Sequence, residues 1–217
     1  MRWIDIEQNT DEWLDLRTAK LTGSGVKTVM ANYGKAFGEP AKKLAITLAR
    51  EQITGKRSIA EHYCNAHMDR GHEQEPIARA LYEDQTFTEV TNGGFFDCGN
   101  LGCSPDGLIL DDGVIEIKSV IDHVHFSTIK RGGFDPAYKW QIYFNLMTTE
   151  RDWIDFVSYC ADYPSDSRLY VHRTHRSDCA EQFKMIEDRT GDFFKLVDEA
   201  KILINQDIEN ITGETHE

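Results

Sequence analysis

The chain has 217 residues and a mass of 24.9 kDa, enough for one full hydrophobic core. Hydrophobic residues make up 40%, charged residues 28%, and no run of about 18 apolar residues occurs, which excludes a membrane-spanning helix. Net charge is −13, which argues against a nucleic-acid partner until its distribution is considered: residues 178–217 carry 11 acids against 4 bases, so a basic groove elsewhere is compatible with it.

The N-terminus, MRWIDIEQNTDEW, is too polar and acidic for a signal peptide. The cysteines (64, 98, 103, 160 and 179) are odd in number and form no CxxC pair. They read as reduced thiols of a cytoplasmic protein, with no disulfide frame and no zinc or iron–sulfur site. Thr10 can N-cap a short helix carrying Trp13, Leu14 and Arg17, and Thr22 a second one through Val29. Pro40 suits a first helical position, with Leu44, Ala45, Leu48 and Ala49 at helical spacing and Gly55 as the stop. Helical pattern returns over 58–84. Residues 87–120 then switch to short strand-like runs punctuated by Gly and Asp. Helices near 122–130 and 136–149 precede two strands, 153–161 and 168–173, and a long acidic amphipathic helix ends the chain. No repeat, linker or low-complexity tract divides it. This order predicts an α/β (α+β) fold in a single domain over 1–217, a central mixed β-sheet flanked by helices.

The chemistry concentrates in Gly102-Cys-Ser-Pro-Asp-Gly-Leu-Ile-Leu-Asp-Asp-Gly-Val-Ile-Glu-Ile-Lys-Ser119. Val114–Lys118 alternates with period two, so Glu116 and Lys118 leave one face of a strand. Asp111-Asp112-Gly113 suits a three-residue hairpin loop with Gly113 in the left-handed position. In that register 110 opposes 114 and 106 opposes 118, which gathers Asp106, Glu116 and Lys118 on one face. A two-residue loop would turn Asp106 away. Converging carboxylates suit a hard divalent cation such as Mg²⁺, and an ammonium beside them can orient water or stabilise charge on a phosphoryl group. The plainer reading is a solvated strand face with an ion pair. Glu199-Ala-Lys201 repeats the E-x-K pattern by chance, in a helical stretch with no S-P-D-G strand before it.

The company of the first match separates it from chance. Gly71-His-Glu-Gln-Glu75 opens a helix and offers a third carboxylate. Arg17 and Ser24, in R-T-A-K-L-T-G-S, supply a guanidinium and a hydroxyl suited to a phosphate. Tyr138-Lys-Trp-Gln-Ile-Tyr-Phe-Asn145 sets Gln141 on an otherwise largely apolar helix.

With these motifs in order the chain resembles the lambda-type phage recombination exonucleases (the lambda exonuclease and YqaJ-like viral recombinase family) of the PD-(D/E)XK nuclease superfamily. The match runs through R-x6-S, G-x3-E, S-P-D-G-L, E-I-K, R-G-G-F (Arg131 to Phe134) and Q-I-Y-F-N, over roughly residues 10 to 205. The resemblance implies that Asp106 and Glu116 bind Mg²⁺ with the Ile117 carbonyl, that Glu75 completes the acidic cluster, and that Lys118 is the catalytic lysine. It implies two ions per site, with Mn²⁺ a candidate substitute. Arg17, Ser24, Ser104 and Gln141 match a pocket for the 5′-terminal phosphate, Arg131 a position near the DNA path, and Met68 an apolar wedge. Gly23 departs from the family's usual alanine. The implied activity is 5′→3′ digestion of one strand of linear double-stranded DNA to mononucleotides, leaving 3′ overhangs for recombination. A ring-shaped homotrimer, a single-strand annealing protein as partner and a bacterial or phage-infected cytoplasm are implied with it.

Plainer roles exist for each residue: a surface charge for Arg17, a helix cap for Ser24, a satisfied core amide for Gln141, a dipole-favoured acid for Glu75. His123-x-His125 and His172-x2-His175 have no matching cysteine pair and read as ordinary surface or core histidines. Two rivals stay open: a restriction- or repair-type endonuclease on the same core, and a catalytically silent DNA-end-binding module.

Overall fold

Thr10 caps α1 (Asp11–Arg17) as its spacing predicts, its hydroxyl accepting the Trp13 amide at 3.2 Å. A two-residue strand, β2 (Leu21–Thr22), leads into α2 (Gly23–Met30). Thr22 stands at the N-cap of α2 but makes no side-chain cap bond. In α3 (Glu39–Thr54) Pro40 lies in the first turn, and Gly55 closes the helix at φ 63°, a left-handed cap that favours glycine. The computed structural model describes residues 1–58 and 66–213, with side chains in the first turn of α4 (Ala66–Thr86) and beyond residue 206 left out.

β3 (Val90–Thr91), β4 (Phe95–Cys98), β5 (Leu101–Cys103), β6 (Gly107–Ile109) and β7 (Gly113–Ser119) follow the short-strand pattern read from 87–120, and β1 (Arg2–Ile4) is a strand that the sequence pattern does not predict. The crossover helices α5 (Asp122–Arg131) and α6 (Lys139–Thr149), the latter entered by a 3₁₀ turn over Pro136–Tyr138, return the chain to β8 (Trp153–Tyr159) beside β7. β9 (Leu169–His175) and the long α7 (Ala180–Gly213) complete the order.

The α/β class is as expected, and the strands divide between two mixed sheets. One runs β1-β4-β5-β2, the other β3-β6-β7-β8-β9, with β7 and β8 parallel and the remaining pairs of that sheet antiparallel. The chain crosses between them at Ser104-Pro105-Asp106. Proline cannot donate to a ladder, so β5 ends before it and β6 begins after Asp106. The Pro105 carbonyl accepts Gln8 Nε2 at 2.8 Å, and any Cβ at residue 93 would collide with it, which is why Gly93 stands there.

Period two in β7 sorts its residues between two cores. Val114 faces Ile142, Phe144, Leu146, Ile154 and Phe156; Ile115 and Ile117 face Ala78 and Tyr82 of α4 with Val157. Helices α2, α3 and α7 share a third cluster built on Val29, Leu48, Phe193 and Val197. There the buried Arg189 donates to the Val29, Ala31 and Lys35 carbonyls and lies 3.6 Å from the Phe37 ring centre. A cation at these carbonyls complements the C-terminal end of α2 and pins that helix to α7.

The hairpin register differs from expectation by two residues. Gly107 pairs with Ile115 and Ile109 with Gly113, so Asp106 stands opposite Glu116 rather than Lys118. The loop is Leu110-Asp111-Asp112, and Leu110 takes the left-handed position at φ 49° while Gly113 is already strand. Gly113 is needed for another reason: a Cβ there would overlap the Trp153 indole. A shift of two preserves the face of every side chain, so the gathering of Asp106, Glu116 and Lys118 survives.

Candidate active site

β6 pairs with β7 only as far as Ile115, because the chain leaves for the other sheet at Asp106. The second half of β7 therefore has no strand on that side. The Asp106 backbone amide makes the last ladder-like bond, to the Ile115 carbonyl at 3.1 Å, and its carboxylate takes over: Oδ2 accepts the Ile117 amide at 2.6 Å. A side chain thus substitutes for a missing strand, and fixes Asp106 in doing so.

Glu116 reaches towards α6 and is fully buried. Its Oε1 accepts from Lys118 Nζ and Gln141 Nε2, and its Oε2 accepts Asn145 Nδ2 at 2.8 Å. Gln141 and Asn145 are one helical turn apart on α6 and grip one oxygen each. The Lys118 side chain keeps 22% of its surface exposed and its ammonium lies 5.4 Å from the Tyr138 ring centre. Glu75 comes from α4, where Arg79 pairs with it at 3.6 Å and also donates to the Asp106 carbonyl. The helix begins at Ala66, so Glu75 lies in its interior ahead of Pro76, not at its opening, and the dipole reading of Glu75 fails.

Glu75, Asp106, Ile117, Lys118 and Tyr138, with Arg70, line a cleft of about 400 Å³, and Glu116 lies buried behind it. A larger cavity of about 740 Å³ lies at the turn end of the hairpin, around Trp3, Leu110 and Arg151, and holds none of the predicted residues. Charge decides between the two. Burial and the neighbouring Asp106 push the Glu75 carboxyl up to about 7, against the pull of Arg79 and Lys118. The same two causes push Glu116 up to about 8, against Lys118. Burial works against the Lys118 charge as well, but Glu116 and Asp106 outweigh it and hold the ammonium firmly protonated. Three carboxylates thus crowd against Lys118, Arg79 and Arg70, and the ionised forms of Glu75 and Glu116 are disfavoured there. Its donors are hard oxygens, the set Mg²⁺ prefers, with the Ile117 backbone in the same cleft. Among the described residues no three metal-ligating side chains already form a closed cage. The donor set fits the ion in chemistry while Glu116 is committed to Lys118 and α6.

The other predicted group assembles around Arg17. Its Nη2 reaches Thr22 Oγ1 at 3.4 Å and Ser24 Oγ at 3.5 Å, and the guanidinium lies 4.1 Å from the Trp13 ring centre. Trp13 Nε1 in turn donates to Ser104 Oγ at 2.8 Å, so Ser104 joins the cradle through the indole. The turn behind it is held by the buried Glu51, which accepts the Ala19 amide at 2.8 Å. Burial lowers the Arg17 pKa to about 10, and among the described residues no carboxylate pairs with it. A half-buried guanidinium held by hydroxyls has the chemistry to receive an anion. Gln141 is not in the cradle itself; its amide is on Glu116.

Arg131, the exposed last residue of α5, precedes the left-handed Gly132, and Phe134 packs on Tyr143, Phe156 and His172, so part of R-G-G-F is structural. The Met68 side chain lies outside the described residues. His125 is a core residue, 2.8 Å from Ser158 Oγ and 2.9 Å from the Ser167 carbonyl, as the plain reading has it. Sequence reasoning missed Trp13, Thr22, Arg79 and Asn145. Thr22 and Asn145 sat inside quoted motifs; the signal for Asn145 was helical spacing from Gln141, and for Thr22 only its hydroxyl two residues before Ser24.

The chain matches the model of the YqaJ-like viral recombinase domain over residues 12–152. Among solved structures it is similar to an alkaline exonuclease, LHK-Exo, from Laribacter hongkongensis, at 34% identity and TM-score 0.79, covering 92% of this chain and 99% of that one. The same figures hold for LHK-Exo in complex with dAMP. A phage related exonuclease from Haemophilus somnus 129PT shares the fold at 16% identity and TM-score 0.62, over 89% of this chain and 98% of that one. No curated protein matches the chain. No helix among the described residues is long and apolar enough to cross a membrane. The family match over most of the chain places this protein in the YqaJ-like viral recombinase family.

Proposed function

We propose that this nuclease is a Mg²⁺-dependent 5′→3′ exonuclease that digests one strand of linear double-stranded DNA to mononucleotides and leaves 3′ overhangs for recombination. The observation that carries the reading is the pairing of two sites: an acid-rich cleft at β7, where Glu75 and Glu116 are crowded by Asp106, and a guanidinium cradle at α1–α2 with no carboxylate on it. A cleaved strand needs both, a cation at the scissile phosphate and a cation at the end.

Asp106, Glu116 and Glu75, with the Ile117 carbonyl, are the groups that would hold Mg²⁺, and Mn²⁺ fits the same oxygen donors. Bound there, the ion supplies Lewis-acid charge to the scissile phosphate. The protein's own groups do the rest. Asp106 is kept in place by the Ile117 amide, and Glu116 by Gln141 and Asn145. Lys118, protonated and partly exposed on the cleft, is placed to orient water and to stabilise negative charge that grows on the phosphoryl oxygens. Arg17, Ser24 and Thr22 receive the 5′-phosphate, which sets how far the strand enters. The fold and its likeness to exonucleases support this reading over the end-binding rival.

A homotrimeric ring and a single-strand annealing protein as partner belong to the same proposal. A ring places basic side chains along an inner channel and turns the acidic α7 outward, which reconciles the net charge with DNA. The deciding experiment compares linear and covalently closed duplexes, with Mg²⁺ and with EDTA. Linear duplex should disappear from its 5′ ends only with the metal, and closed circles should survive. Rapid nicking of closed circles would move the assignment to an endonuclease.

A further inference from the structure

We infer that Asn145 is a positioning residue that ties the Glu116 carboxylate to the turn opening the Arg17–Ser24 cradle, so that the strand end and the reacting phosphate are held in one register. The inference rests on the exonuclease reading above. Asn145 is 1% exposed and lies one turn after Gln141 on α6. Its amide nitrogen donates to Glu116 Oε2 at 2.8 Å, while Gln141 holds Oε1, so α6 fixes both oxygens and hence the plane of the carboxylate. Its amide oxygen faces the other way. A Cβ on residue 23 would stand 2.7 Å from Asn145 Oδ1 and 3.7 Å from Gln141 Cγ. Gly23 is the first residue of α2, and its two neighbours, Thr22 and Ser24, are the residues whose hydroxyls hold Arg17.

One side-chain amide therefore holds Glu116 at its nitrogen and at its oxygen occupies the space a side chain on residue 23 would need. Neither end of this link is free to absorb a displacement. Phe144 and Leu146, on either side of Asn145, are fully buried, and Arg189 pins the far end of α2. A shift of the Thr22–Ser24 turn passes to the Asn145 amide, and from there to Glu116. Most side-chain hydrogen bonds go to backbone or water, whereas Asn145 gives its donor to the Glu116 carboxylate.

The test compares kcat and KM for Asn145→Ala, Gly23→Ala and the double variant on 5′-phosphorylated and 5′-hydroxyl linear duplexes, with melting curves as a check on folding. Asn145→Ala should lower kcat on phosphorylated ends about 10- to 100-fold, as expected for a displaced reacting group, with KM nearly constant. The preference for phosphorylated ends should fall towards parity. Gly23→Ala, whose new methyl group crowds Oδ1, should do the same, and the double variant should be no worse than Asn145→Ala because the crowding partner is gone. Equal losses on both ends, leaving the preference at its wild-type value, would overturn the link, as would additive losses in the double variant or an unaffected Asn145→Ala. Should Asn145→Ala fail to fold, Gly23→Ala alone decides by the same ratio. A wild type indifferent to the end phosphate overturns the link but leaves the nuclease. A wild type that digests no DNA overturns the nuclease reading and takes the link with it.

Discussion

The cleft at β7 and the cradle at α1–α2 handle charge in opposite ways. In the cleft three carboxylates crowd together, and burial with mutual repulsion pushes two of them towards protonation, Glu75 to about 7 and Glu116 to about 8. In the cradle a guanidinium sits on an indole face among hydroxyls, with no acid to answer it among the described residues. A buried charge costs free energy unless it is paired. Asp155 shows the ordinary solution in this same molecule: it receives Tyr82 at 2.6 Å and both prongs of Arg173 at 2.8 Å. Against that example, the crowded acids of the cleft and the acid-free guanidinium of the cradle are the reason we propose a cation for one and a phosphate for the other.

The comparison can be broken at either end. The largest effect belongs to the cleft. Asp106→Ala should reduce hydrolysis by about 10³-fold, the upper range for losing one preorganised electrostatic contact, while DNA ends still bind through Arg17. Single-turnover digestion beside an end-binding titration reads both, and normal hydrolysis by this variant would remove the site. Next comes the cradle. Arg17→Ala should lower kcat/KM on 5′-phosphorylated ends about 10- to 100-fold, consistent with one or two lost charge-assisted hydrogen bonds, and should affect 5′-hydroxyl ends far less. Equal losses on the two substrates would mean that the guanidinium does not read the phosphate.

A smaller effect concerns pH. Glu75 and Glu116 have folded-state pKa values above the ordinary carboxylate value of 4.5. Their contribution to stability is complete below about 4.5 and is lost as pH rises through 7 to 8, because the folded protein must then hold charges it disfavours. Without metal the melting temperature should therefore fall between pH 6 and 8.5, and Mg²⁺ should raise it more at pH 8.5 than at pH 6, because its ligands must be deprotonated. Asp106→Asn, which removes the carboxylate that repels both acids, should flatten the metal-free slope; a slope unchanged in that variant would assign the pH effect elsewhere. The smallest effect lies at the far end of the hairpin. Leu110 is exposed and left-handed at φ 49°. Leu110→Gly should add up to about 1 kcal/mol by relieving that strain, with digestion unchanged, as urea titration and the activity assay would show.

How much of this was legible beforehand varies by residue. The S-P-D-G…E-I-K hairpin could be read because strand periodicity is local: any even register gathers Asp106, Glu116 and Lys118. The register itself could not. Gly113 looks like the residue for a left-handed position, but it is required under the Trp153 indole, 40 residues along the chain, and Leu110 bears the strain instead. Arg17 and Ser24 were legible as a phosphate pair by residue type. Trp13, which carries the guanidinium and tethers Ser104, looked like an ordinary helix core residue. Gln141 was singled out correctly as anomalous on an apolar helix, yet its partner proved to be Glu116. The break into two sheets follows from Pro105, whose missing donor was visible but whose consequence depended on which strands lay to either side.

By itself, then, the sequence determined the chemistry: which acids, which lysine and which arginine exist, and that local periodicity sets Glu116 and Lys118 on one face. Only the tertiary structure decided what those groups touch. The strand that abandons β7 at Asp106, the α6 amides that grip Glu116, and the glycine that leaves room for the Asn145 amide depend on segments far apart in the chain. Such contacts are fixed by packing, which residue spacing along one segment does not encode.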